Sequence, residues 1–130
     1  MSSTVKAKAP VKGGSFLIED ATAAEVFTVE DFSEEQRMIA QTTHEFVMGE
    51  VYPALGEIEH KNFDVTVGLL RKAGELGLLS VDIPEKYGGL GLDKVCSMVV
   101  GEKVAINGSF AVTMGGHTGI GSWPIIYFGN

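Results

Sequence analysis

Apolar residues recur along this chain at helical spacing. From Glu34 to about Glu59, Ile39, Thr43, Phe46, Val47, Val51, Leu55 and Ile58 fall on one face, which predicts a first long helix with that face inward. Pro53 sits inside the pattern and is expected to kink or interrupt it, because proline lacks an N–H and its ring meets the carbonyl four residues back. Ser33 followed by Gln36 has the form of a capping box that opens this helix. A second helix is predicted from Asp64 as its cap, with Val65, Leu69, Leu70, Ala73 and Leu76 as its stripe and Gly77 as its stop. Asp93 is expected to cap a third helix reaching about Asn107, with Val95, Met98, Val99 and Ile106 inward. A fourth spans about Ser109 to Gly119. Gly121-Ser122 is then expected to break the chain, with Ser122 capping a last short helix whose first positions are Trp123 and Pro124.

Strand signals are weak. Only short runs such as Ser15–Ile18 and Ser80–Ile83 could be extended. The segment from Ser80 to Leu92 is too irregular for a helix: Pro84 biases Ile83 away from helical geometry, and Gly88, Gly89 and Gly91 permit positive φ and close backbone approach. Tyr87 is expected to anchor this glycine loop. Thr28 followed by Asp31 predicts a short capped turn. The pattern as a whole predicts an all-α fold, an irregular, orthogonal helical bundle.

Charge changes the picture modestly. The 130 residues carry a net charge of −7, which argues against nucleic acid, since phosphate binding needs clustered Lys and Arg. Seven acids between Glu19 and Glu35 are accounted for by capping and a solvated face, with no metal site read there. Residues 1–25 are expected to form a flexible N-terminal arm, with 1–14 disordered or loosely attached; Lys6, Lys8 and Lys12 lie there without a continuous apolar stretch, so no secretory signal is read. The single cysteine, Cys96, falls in an apolar helical pattern and reads as a buried small hydrophobe, and the absence of a disulfide framework fits a reducing cytosol. From Val104 to Asn130 there is no charged side chain. That run is long enough to span a membrane, about 20 residues, but its glycines, His117 and Pro124 fit buried protein interior better. Localisation is read as cytoplasmic, with membrane-peripheral association the alternative.

Three segments carry a resemblance. Ile83-Pro84-Glu85-Lys86-Tyr87-Gly88-Gly89-Leu90-Gly91-Leu92 resembles the signature loop of the acyl-CoA dehydrogenase N-terminal domain. Leu70-Arg71-Lys72-Ala73-Gly74-Glu75-Leu76-Gly77-Leu78-Leu79 is similar to the helix before that loop. The run from His117 to Asn130 is similar to the family's helix–break–helix element. The three occur in the family's order, and the match covers residues 26–130. The resemblance implies an N-terminal helical domain of an enzyme whose flavin β-domain and C-terminal helical domain are absent here. It implies α,β-dehydrogenation of a fatty acyl-CoA, FAD as hydride acceptor, an electron-transfer flavoprotein as partner, and a homo-oligomer when full length. The catalytic base, a Glu in that family, is expected outside this chain, so no catalytic residue is assigned and the chain alone is expected to be inactive and not to bind FAD.

The resemblance also implies that this domain forms one wall of the acyl-chain cavity. Thr113, Gly116, His117 and Ile120 stand at i, i+3, i+4 and i+7 and would share one helical face. Medium-chain relatives tend to place a large polar side chain at the position of Gly116; glycine leaves that volume open, as in very-long-chain relatives, and points to long acyl chains. The other reading is that Gly115, Gly116 and Gly119 serve close helix–helix packing. His117 reads as a core or pocket-lining histidine; His44 and His60 receive no role. Glu102 is expected to be partly buried in an ion pair or a hydrogen bond to a neighbouring loop. A non-catalytic helical module binding an acyl group or a protein is the competing reading. If a face that normally meets other domains is left open, aggregation or oligomerisation is expected.

Overall fold

In a computed structural model of the chain, residues 14–130 are described; the part of the expected arm that falls on residues 1–13 lies outside them. The chain divides into two compact units, one ending at Ser33 and one covering Glu34–Asn130. Every regular element among the described residues is helical.

Among its described residues the first unit holds three short 3-10 turns, Ser15–Leu17, Ala23–Glu25 and Val29–Asp31. The run at Ser15 that could have been extended is therefore a tight turn. The turn at Val29 is capped as its sequence predicts: the Thr28 N–H donates to the Asp31 carboxylate at 2.9 Å, and the Asp31 N–H returns to the Thr28 carbonyl at 3.0 Å.

The second unit contains helices α1 (Glu34–Phe46), α2 (Leu55–Glu59), α3 (Phe63–Glu75), α4 (Lys94–Val104), α5 (Gly108–Gly115) and α6 (Ser122–Phe128). The predicted first long helix is α1 joined to α2 through a π-helical turn, Val47–Val51, and a 3-10 turn, Tyr52–Ala54. A second π-helical turn, Gly116–Gly121, joins α5 to α6. The two π turns have a shared cause. A proline ring collides with the carbonyl four residues before it. For Pro53 that residue is Gly49, and for Pro124 it is Ile120, each inside a π turn. The chain widens its spiral and stays helical. The expected break at Gly121-Ser122 is thus absent, and Ser122 caps nothing: its Oγ donates back to the His117 carbonyl at 2.8 Å.

Helix α3 starts two residues earlier than expected. Asn62 stands at its N-cap with its amide spent on Glu57 (2.9 Å), and Asp64 falls in the first turn, where its charge suits the helix dipole. The helix stops as its glycine predicts. Gly77 adopts φ +75°, the Leu78 N–H reaches the Ala73 carbonyl, and the Gly77 N–H reaches Gly74, both at 2.9 Å. Leu78 is pulled into the core by this closure, whereas Leu76, expected inward, lies past the helix end and is exposed. Asp93 caps α4 as expected, accepting the Cys96 N–H at 2.9 Å. The inward face of α4 is Cys96, Val99, Val100 and Val104; of the expected stripe Val99 is buried and Val95 half-buried. Met98 is 73% exposed, and Ile106 is exposed in the turn after the helix. Cys96 is fully buried, as its place in the apolar pattern predicts.

Phe46, Val47, Val51, Ile58, Leu69, Ala73, Leu78, Val81, Val100, Val104, Phe110 and Met114 join Cys96 in one core cluster. Helix α1 packs chiefly on α4, and α5 packs on α4 and α2. Each fully buried Val, Leu or Phe contributes about 1.5–3 kcal/mol of transfer free energy, so this cluster is the main source of cohesion. Gln36 adds a polar brace between α1 and α4, its Nε2 donating to Asp93 at 2.7 Å.

The glycine loop is held by its backbone. The Leu90 N–H meets the Ser80 carbonyl at 2.9 Å, Leu92 meets Val81 at 2.8 Å and Gly91 meets Ile83 at 2.9 Å. A β-carbon at Gly89 would stand 2.1 Å from the Ile83 carbonyl oxygen, so the fold demands glycine there. Tyr87 does not anchor the loop: it is exposed, with the Lys86 ammonium 4.7 Å from its ring centroid.

Candidate functional site

Helix α5 is positioned from its start. Asn107 is buried, in an extended conformation, and its Oδ1 accepts the Phe110 N–H at 2.7 Å. The same side chain donates through Nδ2 to Glu59 at the end of α2, at 2.8 Å. One turn on, Phe110 and Met114 fix the helix in the core, Phe110 with its ring centroid 6.2 Å from that of Phe46. The opposite side carries the candidate residues. Thr113 is exposed, its hydroxyl bonded to the Ser109 carbonyl at 2.8 Å. Gly116 is half-buried, His117 is exposed, and Ile120 is 84% exposed.

The π turn alters their register. Thr113 and His117 stand four apart and remain neighbours, but i→i+5 winding from Gly116 onward rotates Ile120 away from a strict α-helical face. The surface that results is broader than the stripe the spacing predicts. The glycines do not serve packing within the described residues: an added β-carbon at Gly115, Gly116 or Gly119 would meet nothing within 4 Å. Gly116 has φ −61° and ψ −38°, a conformation open to any residue.

On the other side of α5 lies a cleft of about 330 Å³. Val100 and Val104 of α4 face Met114, Gly115 and Gly119 across it, and Lys94, Asp82 and Trp123 stand at its rim. None of Thr113, Gly116, His117 or Ile120 lines it. The Lys94 ammonium pairs with Asp82 and sits 4.0 Å from the Trp123 ring centroid. No sequence signal marked this trio, whose members come from three separate segments. The cleft does not suit a flavin dinucleotide: its basic side chain is already held by a carboxylate and an indole, leaving nothing there to balance a pyrophosphate.

Electrostatics elsewhere are structural. Burial pushes the Cys96 thiol up to about 11, with Asp93 adding to the effect, so it is a protonated hydrophobe rather than a nucleophile. Partial burial would raise the Asp93 carboxyl, but hydrogen bonds from Cys96 and Gln36 outweigh it and hold the group below its ordinary value. Hydrogen bonds from Asn107 and Ser109 lower Glu59. His60 places Nδ1 2.7 Å from the Gly56 carbonyl. Glu102 is exposed beside Lys103 at 3.0 Å, contrary to the expected partial burial, because the face of α4 that it occupies is open. Among the described residues no group of three His, Cys, Asp or Glu could hold a metal ion, and no helix is long and apolar enough to cross a membrane.

Comparison with known proteins bears on this geometry directly. Residues 33–130 match the family described as acyl-CoA dehydrogenase, N-terminal domain. A probable acyl-CoA dehydrogenase of Bacillus subtilis (strain 168) is 52% identical over 119 residues, which are 92% of this chain and 20% of that protein. The human mitochondrial short-chain specific acyl-CoA dehydrogenase is 29% identical over 101 residues, 77% of this chain and 24% of its own. The crystal structure of an acyl-CoA dehydrogenase complexed with FAD from Bacillus anthracis superposes with a TM-score of 0.83 at 57% identity, covering 92% of this chain and 21% of that one. The chain therefore spans about a fifth to a quarter of the length of these relatives.

Proposed function

The chain belongs to the acyl-CoA dehydrogenase family as its N-terminal helical domain, and from that premise we propose that it forms one wall of the acyl-chain pocket in a FAD-dependent enzyme that removes hydrogens from the α and β carbons of a fatty acyl-CoA. Thr113, Gly116, His117 and Ile120 are the residues proposed to border the chain. In the complete enzyme FAD, held by polypeptide beyond this domain, accepts the hydride. Electron transfer to an electron-transfer flavoprotein and homo-oligomeric assembly belong to the same proposal.

The observation that carries it is the open side of α5. Glycine costs a helix up to about 1 kcal/mol relative to alanine. Gly116 incurs that cost where neither backbone conformation nor a close neighbour asks for it. A position left empty at the expense of the helix, beside an 84% exposed isoleucine, fits a wall that something apolar comes to lie against. The absence of a side chain there favours long acyl chains.

The test places this chain in front of the remaining four-fifths of the B. subtilis relative and follows bleaching of bound flavin by octanoyl-CoA and hexadecanoyl-CoA. Bleaching by hexadecanoyl-CoA is expected, and Gly116→Glu is expected to lower that rate by about tenfold or more while sparing the shorter substrate. A chimera that retains stoichiometric FAD and responds to neither acyl-CoA contradicts the activity. Indifference of both rates to Gly116→Glu contradicts the wall.

A further inference from the structure

Helix α5 is short and thinly anchored. Of its eight residues only Phe110 and Met114 are buried. Two apolar anchors on one side hold a helix against its neighbours but resist rotation about its own axis poorly, since apolar contact is non-directional. Hydrogen bonds supply direction, and one side chain supplies two. Asn107 is 9% exposed, caps the first turn through Oδ1 (Phe110 N–H, 2.7 Å) and reaches through Nδ2 to the Glu59 carboxylate on α2 (2.8 Å). Ser109, in the same turn, adds to the lowering of the Glu59 carboxyl. Glu59 thus ties the start of α5 to α2, which is itself seated in the core by Ile58.

We propose that Asn107 is a positioning residue that fixes the rotational register of α5 by tying its first turn to Glu59, and so sets where the Thr113–Gly116–His117 surface faces. The inference rests on the reading of that surface as an acyl wall. Cap and tether are separable: aspartate at this position keeps the acceptor for the Phe110 N–H but replaces the donor with a second carboxylate against Glu59. Pairing it with glutamine at position 59 restores a donor–acceptor pair with the polarity reversed.

The test compares wild type, Asn107→Asp, Glu59→Gln and the double variant. In the 130-residue chain, amide exchange from Phe110 to Met114 is expected to accelerate in Asn107→Asp, with α1 and α4 unchanged, and to recover in the double variant. In the flavin-loaded enzyme that contains this domain, the preference for hexadecanoyl-CoA over octanoyl-CoA is expected to fall about tenfold in Asn107→Asp, the scale of a small misplacement of a binding group, and to return in the double variant. Glu59→Gln alone, which keeps an acceptor, is expected to change it less than about twofold. Uniform loss of protection across α1, α4 and α5, or a chain-length preference that is unchanged or not rescued, overturns the proposal. Wild-type enzyme that no acyl-CoA bleaches overturns the functional reading itself, whereas active wild type with an unmoved preference overturns only the role of Asn107.

Discussion

Gly89 and Gly116 show how differently one residue type is used. At Gly89 a β-carbon would collide with the Ile83 carbonyl oxygen; at Gly116 it would point into open space from ordinary helical backbone. Gly89→Ala is expected to destabilise the chain by about 2–4 kcal/mol, in the range of strained or overpacked sites. Gly116→Ala is expected to be neutral or to stabilise by about 0.5–1 kcal/mol. Denaturant titration of the two variants checks this, and a large loss at Gly116 would mean that the fold, not a ligand, requires that glycine. The sequence marks both positions as glycine but cannot separate them, because a clash with Ile83 or its absence is a property of folded backbone.

Among the elements, some caps were legible and others, at Asp64 and Ser122, were not. Asp93, the Thr28–Asp31 turn and the Gly77 stop are local chemistry, settled within three or four residues, and each stands where the sequence predicts. The phase of α4 was less so: Met98 looked as apolar as Cys96, and only packing against α1 decides which is inside. The π turns were legible in part. Prolines at 53 and 124 announced a disturbance, but whether a chain breaks, kinks or widens depends on what the following turn gains by staying helical. For the candidate site the consequence is direct, since the α-helical spacing that aligned Ile120 with Thr113 does not survive the widened turn. Asp93 carries a pH dependence at this scale. Its folded pKa lies below the ordinary value, so its contribution is fully present above the unfolded pKa of about 3.9 and is lost as pH falls through the folded value. Asp93→Asn is expected to flatten the acid limb of a stability–pH curve below about pH 4, and a curve that keeps the wild-type slope contradicts this. Asp93→Ala removes both the cap and the partner of Gln36, with an expected cost near 1 kcal/mol for the cap.

The second unit as a whole is sealed on one side and open on another. The core closes around Cys96 and Phe110, while Val112, Ile120, Ile125, Tyr127 and Phe128 are each more than two-thirds exposed, at 76%, 84%, 72%, 68% and 84%. Apolar surface gathered on two consecutive helices promotes association in a protein standing alone. Sedimentation of the 130-residue chain is expected to show concentration-dependent self-association, relieved by Ile120→Lys with Phe128→Lys; a sharp monomer at every concentration contradicts it. Ile120 belongs also to the proposed acyl wall, whose position can be read from a single complex. The deciding measurement is a crystal structure of the flavin-loaded enzyme containing this domain, bound to a non-reactive hexadecanoyl-CoA analogue. Alkyl carbons are expected in van der Waals contact, about 4 Å, with the Gly116 Cα; a tail that runs elsewhere and leaves the outer side of α5 covered by protein alone contradicts the account.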